Sequence, residues 1–291
     1  GLGTILNIIL DPIFIFDLEN LGGFGFGLGI AGAAMATVIS QVVVFIVFIF
    51  MLFFKNHSYI SFNLSDFTYS TYIIWDIIKV GLPASLSMIV MAVGQGVFNK
   101  ILIHISVNTV AAYQVAGRLD MLVFLPIFSI AASLTTLVGM FYGAKEYGAL
   151  RYIIKYGIFS ALLITIISST IVYTFAGHVV RFFTDDASIV IIAVNFLQIF
   201  AFAYPFISVG ITTGRVLQGL GKGLPVLIIT IVRVLGVSAP LALFFVFIMD
   251  KTVEWVWYSM MLSTIVAFGI GLTWLISTLK TLPTSGQSLN N

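Results

Sequence analysis

Apolar runs of about twenty residues or more follow one another along most of this 291-residue chain, and that length lets a helix cross a hydrocarbon core about 30 Å thick. We read a partial span at about 1–16 and full spans at about 29–54, 82–106, 109–141, 152–176, 188–216, 224–248 and 254–278. Lipid offers no partner to a free backbone N–H or C=O, so the runs are expected to be helices rather than open strands. The expected architecture is all-α: a polytopic membrane helix bundle of about seven full spans plus one partial one.

Composition agrees. Hydrophobic residues make up 60% of the chain and charged ones 8%, with a mean hydropathy of +1.15, outside the range of soluble domains. A net charge of +2 is too small to suggest a nucleic-acid partner. Without cysteine there is no disulfide framework and no thiolate metal site. His57, His104 and His178 have no metal-ligand spacing, and no phosphate loop or Ser/His/Asp set is suggested. Neither an enzyme nor a cofactor is therefore expected. The first run starts abruptly at Gly1, as expected of an N-terminally truncated fragment that opens inside a helix of a larger protein.

The loops carry the orientation. Lys55, Lys79, Lys145, Arg151, Lys155, Arg215, Lys222 and Lys280 fall on one side by parity of crossing, which is expected to be cytoplasmic, with the C-terminus there too. The opposite loops are mixed or acidic: Asp17 and Glu19, then Arg181, Asp185 and Asp186, then Asp250, Lys251 and Glu254. Four regions follow: the end of one bundle over 1–54, a polar linker over 55–80 that meets Gly81-Leu82-Pro83, a six-helix bundle over 81–280, and a tail over 281–291.

Few carboxylates are tolerated inside such runs, and one that remains is by default a candidate for moving ions or protons. Asp11 is the first. Asn7 lies four residues earlier, so both side chains leave one helix face. Desolvation favours a neutral carboxyl and an amide donor favours a charged one, a balance that lets an acid load and release a proton. Ionised Asp11 with the Asn7 carbonyl and a hydroxyl such as that of Thr37 also supplies oxygens for Na⁺. Pro12 removes a backbone N–H and clashes with the Ile8 carbonyl, so a kink is expected beside the acid. The stretch Ile5–Pro12 lines up with Arg233–Pro240, which places a second kink at Pro240 and suggests parallel repeats about an axis along the membrane normal.

The motifs resemble those of one family. Asn7-x-x-x-Asp11-Pro12-x-Phe14-Ile15 followed by Gly29-Ile30-Ala31-Gly32-Ala33-Ala34-Met35-Ala36-Thr37 resembles the N-lobe signature of multidrug and toxic compound extrusion (MATE) transporters. Gly81-Leu82-Pro83, Ala112-Tyr113-Gln114-x-x-Gly117-Arg118, Val138-Gly139-x-x-x-Gly143-Ala144 and Leu217-Gln218-Gly219-Leu220-Gly221-Lys222 look like its C-lobe. The resemblance implies twelve spans in two six-helix lobes, of which this chain keeps the end of the fifth helix, the sixth, and the whole C-lobe. In the archaeal and DinF-like branches it further implies coupling through a first-helix acid linked to an Asn, an Asp and a Thr, at positions matched by Asn7, Asp11 and Thr37. Another branch binds its cation through C-lobe acids. Met91 and Ile207 stand at those positions here, so coupling through the C-lobe is not expected.

Other polar groups have plainer readings. Met88, Met91, Gln95, Asn99, Gln114 and Tyr204 are candidates for a substrate cavity, alongside an interhelical packing role. Arg118 and Asp120, two apart, do not face one another and are read as a structural polar cluster; Arg233 is similar, and Lys100 can snorkel. Asp185 and Asp186 follow Thr184 where a helix cap accounts for them.

The expected function is a multi-pass cell-membrane antiporter that exports drugs or organic cations by alternating access, driven by H⁺ or Na⁺. Its partners are then the substrate, the bilayer and the missing N-lobe helices. A lipid-linked oligosaccharide flippase of the same superfamily is the alternative, disfavoured because only Arg118 and Arg233 are available to hold a pyrophosphate. An intramembrane enzyme is the more distant one.

Overall fold

The computed structural model describes residues 1–17, 25–54 and 68–283. The readings for Glu19, Lys55 and His57, for the linker up to residue 67 and for the tail from 284 lie outside these. The helices are α1 (Leu2–Ile15), α2 (Gly29–Phe54), α3 (Thr71–Ile105), α4 (Val107–Gly143), α5 (Tyr147–Arg181) and α6 (Ala187–Gly219). A composite span follows: α7 (Leu224–Ile231), a π-helical stretch over Val232–Ser238, α8 (Ala239–Leu243) and a second π-helical stretch over Phe244–Ile248. The last is α9 (Val253–Lys280). Among the described residues, seven of these spans are long and apolar enough to cross a membrane, and the shorter apolar α1 precedes them.

One helix end and one mid-span stretch differ from the sequence reading for physical reasons. The stretch 71–80, expected as linker, is helical, because Ser70 caps α3 by accepting the Ile73 N–H at 3.5 Å. Pro83 does not end that helix, since prolines inside spans are tolerated where the freed backbone groups find partners. Around Pro240, where a kink is expected, the helix widens into π turns on both sides of α8.

The chain forms two compact units, residues 1–69 and 70–291. In the first, α1 and α2 form a hairpin. The last carbonyls of α1 have no helical donor. They accept from the returning chain: Phe26 N to Ile13 O at 2.9 Å, Leu28 N to Phe14 O at 3.0 Å and Gly27 N to Phe16 O at 3.2 Å.

In the second unit, α6 packs against α4, α5 and α9. Tight joints connect the helices. Ser106 ends α3 and caps α4, its Oγ accepting the Thr109 N–H at 3.1 Å. Gly221 turns the chain after α6 with a φ of +77°, which glycine adopts without steric cost, and Lys222 N closes onto Leu217 O at 2.8 Å. The core is aromatic: Trp257 is fully buried, stacks on Tyr113 at 5.9 Å and meets Phe196 edge-on at 4.8 Å. At one end, Arg151 donates to Leu279 O at 3.2 Å and Leu282 O at 2.9 Å, a cation placed where the carbonyls of α9 end.

Pro205 lies inside α6 and has no N–H to give to Ala201 O. Ser169 of α5 donates its hydroxyl to that carbonyl. The backbone partner that Pro205 removes is thus supplied by a neighbouring helix.

The α4–α6 seam depends on Gly219, where an added Cβ lies 2.7 Å from Thr135 O and 3.0 Å from Val138 Cβ. A Cβ on Gly117 meets nothing within 4 Å. We therefore expect Gly219→Ala to lose about 1–3 kcal/mol in equilibrium unfolding, while Gly117→Ala stays within about 0.5 kcal/mol of the parent chain. Equal stability of the two variants contradicts the seam.

Candidate functional site

Asn7 and Asp11 lie on α1, one turn apart. The Asn7 amide Nδ2 donates to Asp11 Oδ1 at 3.1 Å and reaches Thr37 Oγ1 on α2 at 3.4 Å. Thr37 in turn donates its hydroxyl to Ala33 O at 2.9 Å, within its own helix. The three residues singled out by motif therefore meet, with Asn7 as the bridge. Pro12 follows the acid directly inside α1.

Small residues bring the two helices together. Gly32 packs on the end of α1, where a Cβ runs into the Phe14 carbonyl and comes within 3.0 Å of Ile15 N. One residue near this site escaped the sequence reading. Ser40 is buried, lies one turn from Thr37 on the same face, and its Oγ has no partner among the described residues. A count of hydroxyls along that face is the signal that points to it.

The oxygens of Asp11 and Thr37, with the Asn7 carbonyl if its amide turns, are hard donors of the kind that suits a proton or an alkali cation. The present amide orientation presents N–H to the carboxylate, which satisfies an ionised Asp11. Turning the amide sets two oxygens against each other, an arrangement that only a bound cation or proton between them relieves.

The candidate cavity residues are more scattered. Met88 and Met91 are 74% and 52% exposed, and Gln95 is exposed as well. Gln114 Nε2 donates to Asn99 Oδ1 at 3.4 Å, tying α4 to α3. Tyr204, expected on a cavity wall, is instead fully buried, and its hydroxyl donates to Asp120. Asp120 thus finds its partner on α6, a pairing the sequence reading missed. Arg118, two residues earlier, is exposed. Asp186 caps α6, accepting from Ser188 N at 2.8 Å and Ile189 N at 3.3 Å. Among the described residues, no group of three His, Cys, Asp or Glu side chains is placed to hold a metal.

The MatE family model matches residues 83–244. The probable multidrug resistance protein NorM of Thermotoga maritima is 29% identical over 243 residues, covering 83% of this chain and 51% of that protein. The multidrug export protein MepA of Staphylococcus aureus is 32% identical over 218 residues, covering 75% of this chain and 46% of that protein. The chain spans about half the length of these curated relatives. Solved structures match most of it. The crystal structure of MATE in complex with MaD3S superposes with a TM-score of 0.87 at 33% identity, over 97% of this chain and 61% of that one. A MOP superfamily transporter from Pyrococcus furiosus, for which reverse polarity of the binding pocket suggests a different function, gives 0.85 at 33% identity, over 98% and 62%.

The α1–α2 geometry makes a prediction open to direct measurement, because the chain has no cysteine. An Asn7→Cys, Thr37→Cys pair is expected to cross-link readily on mild oxidation. Adding Gly32→Ala, which forces the helices apart, is expected to slow that reaction several-fold. An unchanged rate contradicts the close approach.

Proposed function

We propose, because this chain belongs to the MATE family of membrane transporters, that the whole protein exports drugs or organic cations across the cell membrane by alternating access, driven by inward H⁺ or Na⁺. The observation that carries the coupling site is the bridge from Asp11 through Asn7 to Thr37, which joins an intramembrane acid on one helix to a hydroxyl on the next. The named relatives are multidrug proteins, and this supports the substrate class.

In this reading Asp11 holds the coupling ion. Occupancy changes what the Asn7 amide can bond, and thereby the tie between α1 and α2. Pro12 gives that change a bend in α1 to act on. An ion shifts the balance between inward and outward states only by binding one of them more tightly. The cluster is therefore expected to tighten in one state and open in the other. The positive ends at Lys145, Arg151, Lys155, Lys222 and Lys280 support a cytoplasmic C-terminus.

The test replaces Asp11 in the full-length protein. Asp11→Asn is expected to lower gradient-driven drug export at least tenfold, with normal amounts in the membrane, and Thr37→Ala to lower it by a smaller factor. Export by Asp11→Asn at the parent rate, with the same ion dependence, overturns the assignment.

A further inference from the structure

Asp120 lies within the α4 span and takes no part in the coupling site proposed above. Its one hydrogen bond comes from the hydroxyl of Tyr204, a fully buried side chain on α6. Phe124 meets the Tyr204 ring edge-on at 5.4 Å, and Phe200 lies 6.4 Å away, so the surroundings are apolar. No cation is ion-paired with the carboxylate among the described residues. Tyr204 of α6 and Tyr113 of α4 are the titratable groups in electrostatic reach of it, and Arg233 of the first π-helical stretch acts on Tyr113. From α3, His104 packs on Phe247 at 4.6 Å and Lys100 is exposed; from α5, His178 packs on Phe175 and Tyr173 on Phe202. None of these four bonds to Asp120.

An acid in lipid with neither a counter-charge nor several donors is stable only if it can become neutral. The pair with Tyr204 accommodates both forms. Ionised, Asp120 accepts from the phenol in a charge-assisted bond. Protonated, it keeps a neutral bond of roughly half that strength.

The position gives that difference a consequence. Tyr204 immediately precedes Pro205, and the carbonyl left open by Pro205 is taken by Ser169 of α5. The proline site of α6 is therefore held from two sides, by α5 on the Ala201 carbonyl and by Asp120 of α4 on the Tyr204 side chain.

We propose that Asp120, paired with Tyr204, is a second proton-binding site, located in the C-terminal bundle, whose occupancy sets how firmly α4 holds α6 at Pro205. A proton arriving at the carboxylate converts it to the acid and weakens the tether without breaking it. The proton leaves by the reverse step. This site does not use Asp11, and it lies in the bundle where the sequence led us to expect no coupling.

Infrared difference spectroscopy on the full-length protein in lipid, between high and low pH, tests the proposal. Acidification is expected to produce a carboxylic acid carbonyl band that disappears in Asp120→Asn. The band should persist at higher frequency in Tyr204→Phe, where the hydroxyl donor is gone, and persist unchanged in Asp11→Asn. A folded Asp120→Asn protein that keeps the wild-type band overturns the site. Should Asp120→Asn fail to fold, Tyr204→Phe decides: a shifted band supports the proposal and an unmoved one overturns it.

Discussion

Everything in this chain depends on one demand: a polar group inside hydrocarbon must find its partner within the protein. Most hydroxyls meet it locally. Ser87, Thr165, Thr212 and Thr230 each donate to the carbonyl four residues back, and so add nothing between helices. Few polar groups are then left to join one helix to another. The Asn7–Thr37 bridge, the Asp120–Tyr204 pair, the Ser169 bond to Ala201 and the Gln114–Asn99 contact are among them. In a medium where each such bond contributes on the order of 0.5–2 kcal/mol, these few bonds fix how the helices pack.

Prolines sharpen the same demand. Each one inside a span removes a donor, and what replaces it decides whether the helix bends, widens or ends. At Pro205 a serine from the next helix fills the gap, whereas on both sides of α8 the helix widens into π turns. Both acids discussed here sit beside such a place. Asp11 precedes Pro12 directly, and Asp120 holds the residue before Pro205. The counterpart of Asp11 in the aligned second copy is Ala239, apolar and buried, so the two copies share a proline but not an acid.

The spans were legible because length and hydropathy are properties of contiguous sequence. The Asn7–Asp11 pair was legible because a spacing of four is local, and Thr37 because a motif resemblance tied it to them. What was not legible is what contiguous sequence does not encode. Asp120 and Tyr204 are 84 positions apart, and neither has a local signal naming the other. Tyr204 therefore read as a cavity wall, although it is an interior partner. The stretch 71–80 read as linker because Pro83 suggested a helix start, while the cap that matters is Ser70.

Transport driven by an ion gradient is the claim on which the account stands. The direct measurement reconstitutes the full-length protein in sealed vesicles and follows drug movement when an H⁺ or Na⁺ gradient is imposed without nucleotide. The account predicts drug flux against the cation flux, proportional to the gradient and abolished when the gradient is collapsed. Drug movement that is indifferent to both gradients, or that begins only when nucleotide is added, contradicts it.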